Sequence, residues 1–95
     1  MQLYAIYDNK ADDLVGGQHS IMCVKAEAVA IRAFGDIAMM QDSQIGKHIQ
    51  DYDLVWLGTL ENNSIIACWD IILTGERWLA SQQNNRDQQN LQLGE

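Results

Sequence analysis

Cations are scarce in this sequence. Six Lys and Arg stand against 13 Asp and Glu among 95 residues, a formal net charge of -7. The imbalance is uneven, with four basic and six acidic side chains in residues 1–50 and two and seven in residues 51–95. Sequence-independent binding of nucleic acid draws most of its free energy from Lys and Arg at phosphates, so this balance argues against a general nucleic-acid binder. Cysteine is also sparse: Cys23 and Cys68 each sit inside an apolar run, a pattern of reduced, buried thiols rather than a disulfide framework. No stretch approaches the ~18 consecutive apolar residues of a membrane span. The start MQLYAIYDNK lacks the basic-then-apolar order of a signal peptide, so a soluble cytoplasmic protein with no membrane contact is expected. What is present is ordinary for a globular chain, 47% hydrophobic and 20% charged. That is enough for one small domain, whose limited buried surface an oligomer would enlarge.

Leu3-Tyr4-Ala5-Ile6-Tyr7 is short, aromatic and β-branched and is closed by Asp8-Asn9-Lys10, which predicts a strand. Ala11 to Gln18, with Asp12, Asp13 and Gly16-Gly17, is expected to be a loop. Ser20 to Val24 reads as a second short strand. Lys25 to Gln41 then places Val29, Ala30, Ala33, Phe34, Ile37 and Met40 at three- and four-residue spacings, an amphipathic helix. Its Gly35 costs roughly 1 kcal/mol against Ala, and no Ser, Thr, Asp or Asn caps its start.

The best local signal lies further on. Two apolar runs, Leu54 to Leu60 and Ile65 to Leu73, flank Glu61-Asn62-Asn63-Ser64, and Asn tolerates the left-handed conformation that a two-residue hairpin turn requires. An uninterrupted ladder from that turn pairs Leu60 with Ile65, Gly58 with Ala67, Trp56 with Trp69 and Leu54 with Ile71. It leaves Val55, Leu57, Ile66 and Ile72 on the other face. After Thr74-Gly75, Glu76 to Ser81 is expected to be a short helix or a docking segment. From Gln82 onward eight of fourteen residues are Gln or Asn, which predicts a disordered tail.

The sum is an α+β domain over residues 1–81 with a tail over 82–95. A small four-stranded, largely antiparallel sheet carries one main helix on one face, with two strands before the helix and two after it. The hairpin is apolar on both faces, and one helix covers only one of them. The surface around Val55, Leu57, Ile66 and Ile72 is therefore the expected site of self-association, most simply in a two-fold dimer.

Three blocks also carry a family likeness. Met1 to Asp8 followed by Lys10-Ala11, the helix run Ala28 to Phe34, and Asp51-Tyr52-Asp53-Leu54 followed by Leu57-Gly58 resemble the small nonstructural protein of gokushoviruses, tailless single-stranded-DNA phages of the microvirus group. The sequence departs from that pattern in a longer loop at Leu14 to Ser20, the lack of proline after the hairpin and a Gln/Asn-rich end. The family has been likened to the microvirus protein that switches genome synthesis from duplex replication to single-strand production coupled to packaging. The resemblance implies a nonstructural viral protein of the host bacterial cytoplasm, not a virion component. Its implied partners are a viral replication initiator, a host replication protein or single-stranded DNA.

The residues themselves offer little chemistry. Trp56 and Trp69 with Tyr52 would suit a base-stacking platform, but their apolar, cation-free surroundings fit a core better. Lys25 and Arg32, seven residues apart on the expected helix, with Lys10 or Lys47 near them, are the candidate phosphate contacts. His19, His48, Cys23 and Cys68 lack clamp spacing for a metal. Asp12-Asp13 and Asp51 with Asp53 fall in turn-prone segments where Asp caps and solubilises. Gly16-Gly17 has no phosphate-loop lysine. No nucleophile and base stand in a recognisable context, so neither an enzyme nor a cofactor is expected.

Overall fold

The computed structural model describes residues 1–17 and 20–83. Its centre is β1, Gln2–Asp8, the strand expected at Leu3 to Tyr7. One edge of β1 pairs antiparallel with β4, Tyr52–Glu61. The other edge carries two short strands in turn: β2, Asp13–Leu14, against Tyr7 and Asp8, and β3, Met22–Val24, against Gln2 to Tyr4. Antiparallel β5, Ser64–Thr74, completes the order β2-β1-β4-β5.

Between β3 and β4 the chain forms α1, Glu27–Ala38, and a shorter α2, Gln44–Lys47. A third helix, α3, runs over residues 75–83. The antiparallel α+β architecture is thus as expected, but among the described residues the sheet has five strands and the helical layer three helices. The fifth strand arises inside the expected loop. The Asp8 carboxylate accepts the amides of Lys10 and Ala11 (2.9 and 3.2 Å), and Asp12 takes a left-handed φ of 56°. This turn folds Asp13-Leu14 back onto β1. Helix α2 has a local cause too, since the Ser43 hydroxyl caps it by accepting from Gly46 N at 2.9 Å; α3 is the short helix expected at Glu76 to Ser81 and starts where Thr74 Oγ1 accepts from Arg77 N at 3.1 Å.

The core lies between one sheet face and the helices. Phe34, Ala30 and Ile37 of α1 meet Tyr4 and Ile6 of β1, Tyr52 and Leu54 of β4, and Ile45 and Ile49 from the α2 region. As expected, no side chain caps α1 at Ala26. Gly35 has a packing role: a Cβ there would come 3.1 Å from Trp78 Nε1 of α3, so the glycine lets the two helices approach closely. The segment after Thr74 therefore joins the helical layer, and among the described residues the opposite sheet face stays open. Helix α3 carries regular structure through Gln82 and Gln83; the rest of the expected tail, 84–95, lies outside the described residues.

The hairpin departs from the expected ladder in one consequential way. Asn62 and Asn63 take the left-handed φ values of the expected turn, 50° and 63°, and Leu60↔Ile65 and Gly58↔Ala67 pair as expected. Beyond Gly58 the register slips: Trp56 faces Asp70, Val55 faces Ile71 and Leu54 faces Leu73. Two bulges in β5, at Cys68-Trp69 and at Ile72, absorb one extra residue each. Each slip exchanges the faces of the residues beyond it, so Trp56 and Trp69 are not partners.

Candidate interaction surface

Cross-strand partners share a face and neighbours along a strand alternate, so the register assigns each side chain to a side. The helix-covered side holds Tyr4, Ile6, Leu54 and Trp56. There the Trp56 indole donates to Gln2 Oε1 (3.1 Å) and to the Gly58 carbonyl (3.0 Å), and Thr59 Oγ1 donates to the same Gln2 oxygen (2.9 Å). The open side holds Ala5, Tyr7, Asp53 and Val55, with Trp69 and Ile71 from β5. Trp69 reaches across β4 to Tyr7 of β1, their ring centroids 5.5 Å apart at 90°, an edge-to-face contact. Ala5 and Val55, on the same side of the intervening strands, are fully buried. Trp69 and Ile71 remain 56% and 53% exposed, and Ile65 nearer the turn 62%.

The residues expected to form the self-association patch do not share one surface. Val55 is fully buried on the open side, and Ile72 packs against the core beneath the helices. Leu57 is half-buried at the slip, while exposed Ile66 pairs with Thr59 on the Trp56 side. The open side is instead built from Trp69, Ile71, Ile65 and Leu60. One signal in the sequence points there: the apolar run Ile65 to Leu73 is two residues longer than Leu54 to Leu60, which matches the two bulges.

The charged candidates are scattered. Arg32 is exposed on α1, but Lys25 lies in the bend before that helix, because α1 starts at Glu27; a helical seven-residue spacing does not relate them. Asp53, the acid of the open side, is buried and accepts from Asn9 Nδ2 at 3.0 Å, and the same amide donates to the Asp51 carbonyl at 3.1 Å. Asp12 accepts from the Tyr7 hydroxyl. These carboxylates hold turns and strand ends together. His48 and Cys23 are exposed, the Cys68 thiol donates to the Trp56 carbonyl at 3.5 Å, and His19 lies outside the described residues. Among the described residues no three His, Cys, Asp or Glu side chains converge as metal ligands. A cavity of about 380 Å³ between the β1–β2 turn and α2 is lined by Leu14, Val15, Ile45 and Tyr52.

All three tyrosines of the chain resist ionisation. Burial first, then Glu27, raises Tyr4 above its usual value near 10. Burial first, then Asp8 and Asp51, raises Tyr52 against the opposing effect of Gln44. For Tyr7, which is solvated, the hydrogen bond to Asp12 leads. A phenol that ionises at higher pH in the folded chain than in the unfolded one contributes stability that is fully present below about pH 10 and is lost as pH rises through the folded values. Stability is therefore expected to fall above about pH 10, and phenolate absorbance in the folded protein should rise later than in denaturant. A folded titration that superimposes on the denatured one would count against these environments.

Residues 1–68 match the family model described as Phage ORF5 protein. The chain belongs to that family. The match takes in β1 through β4, α1, α2 and the first part of β5 up to Cys68, so the turn, Gly58 and the start of the bulged strand fall inside it. Trp69, Ile71 and α3 fall beyond it. No curated protein and no solved structure matched the chain. No helix among the described residues is long and apolar enough to cross a membrane.

Proposed function

We propose that this phage protein is a non-enzymatic interaction module, a gokushovirus-type nonstructural protein of the host cytoplasm. In this reading it regulates viral genome replication, or single-strand synthesis and packaging, through contacts with itself and with a viral replication initiator or a host replication protein. The observation that carries the reading is the open sheet side, where Trp69, Ile71 and Ile65 stand more than half exposed beside a strand edge that no described residue pairs with. Apolar surface of this kind marks protein contacts more often than chemistry. The placement of the acidic residues also supports it, since Asp8, Asp12 and Asp53 serve turns and strand ends.

One observation favours a second reading, weak binding of single-stranded DNA: Trp69 and Tyr7 form an exposed aromatic pair on which a base could stack. Charge opposes it, because residues 51–95 are net -5 and Arg32 sits on α1, in the other layer. Titration of a labelled single-stranded oligonucleotide separates the two. The interaction reading expects no saturable binding at about 50 mM salt, and retention of the co-expressed phage replication initiator that is lost in Trp69→Glu. Binding that weakens steeply with salt, and is reduced in Lys25→Ala/Arg32→Ala, would replace it with the second reading.

A further inference from the structure

Strand β5 ends the sheet, and among the described residues nothing pairs with its outer edge. An eleven-residue edge that is apolar, carries no Pro, Lys or Arg and is interrupted only by Asp70 and the two bulges is a template for another strand. We propose that the partner on this edge is a second copy of the chain, the two β5 strands pairing antiparallel about a two-fold axis at Cys68. This deepens the interaction reading and rests on it.

The sequence of the edge selects the register. Around Cys68 the open-side residues run Ile65, Ala67, Trp69, Ile71, a pattern that matches itself when reversed. Ile65 then faces the second copy's Ile71, a β-branched pair, and Ala67 faces the second copy's Trp69, a small side chain beneath a large one. Asp70, the strand's one charged side chain, sits two residues from the axis. The two carboxylates are thus offset by four residues, about 13 Å along the strands, beyond the screening length at physiological salt.

The area is adequate for a weak dimer. Ile65 and Ile66, each 62% exposed, with Trp69, Ile71 and the backbone edge, offer on the order of 500 Å² per copy, near the lower limit for specific association. The assembly closes at two copies. At the opposite edge of the sheet stand only the two-residue β2 and the three-residue β3, too short to propagate pairing, so a two-fold dimer and not a fibre results.

Directly opposed residues of antiparallel strands lie about 4.5–5.5 Å apart at Cα, within disulfide range. Sedimentation at tens of micromolar should show a dimer, and copper–phenanthroline oxidation should link it in wild type and in Cys23→Ser but not in Cys68→Ser. Because the Cys68 thiol is engaged with the Trp56 carbonyl, a second variant tests the register without it: Ile65→Cys/Ile71→Cys in a chain with Cys23→Ser and Cys68→Ser should cross-link between copies. Ile65→Lys, at an exposed position, should weaken dimerisation about tenfold or more with unchanged circular dichroism. A monomer at these concentrations, or a dimer in which neither Cys68 nor the 65/71 pair cross-links, would overturn the proposal. If such a protein still held the co-expressed initiator through Trp69, the interaction reading would stand without the dimer.

Discussion

Phe34→Ala is expected to remove about 3–5 kcal/mol of stability, because the ring has no exposed surface and its loss leaves a cavity at the centre of the domain. Phe34 sits where α1 meets β1 and β4, among Ala30, Ile37, Tyr4, Ile6 and Leu54. The α1 residues one turn away at i−4 and i+4 are Ala30 and Ala38, too small to fill the void. A domain of this size has a total stability of about 5–15 kcal/mol, and the variant should unfold at a much lower urea midpoint with the slope of the transition unchanged. A loss below about 1 kcal/mol would mean that the helix does not pack on the sheet as described.

That core was legible from spacing alone. Ala30, Phe34 and Ile37 recur at helical intervals, although Val29 and Met40 of the same expected face stand exposed; Leu3 to Tyr7 has strand composition, and Asn62-Asn63 is a turn with a physical reason for each residue. Expectation and structure part where an energy is shared between distant segments. The two-residue strand Asp13-Leu14 forms only because the Asp8 carboxylate turns the chain back onto an existing strand, and no local pattern of its own announces it. The bulges at Cys68-Trp69 and Ile72 depend on which β5 residues find room against β1, β4 and the helices at once. Reading an unbroken ladder from the turn therefore gave the right pairs near it and the wrong faces beyond Gly58. In consequence Trp69, expected in the core, stands exposed beside Tyr7, and Ile72, expected on the self-association surface, packs against the core. Of the candidate site, the existence of an uncovered apolar sheet face was readable from the excess of apolar residues over available helix; its membership was not.

At the position where the register slips, Gly58→Ala is expected to cost about 2–4 kcal/mol, combining a backbone conformation that non-glycine residues rarely adopt with overpacking of a filled site. Gly58 has φ +145°, and a Cβ there would stand 2.3 Å from the Ile66 carbonyl oxygen and 3.1 Å from the Ala67 Cα. These contacts are backbone, so no side chain can rotate away to relieve them. Gly16→Ala is the control, since its Cβ would meet nothing within 4 Å, and it should leave stability nearly unchanged. The effect should also reach the surface. Gly58 is where β4 is out of step with both neighbours, between Leu3/Tyr4 on one side and the Cys68-Trp69 bulge on the other. Relieving the clash requires β5 to move, and a one-residue slip of β5 would carry Trp69 and Ile71 from the open side toward the helices. Urea unfolding followed by tryptophan fluorescence reads both consequences, a lower midpoint and an altered native emission as Trp69 leaves solvent. Equal stability of Gly58→Ala and Gly16→Ala would show that the slip does not depend on the glycine, and the open face would then owe its composition to β5 alone.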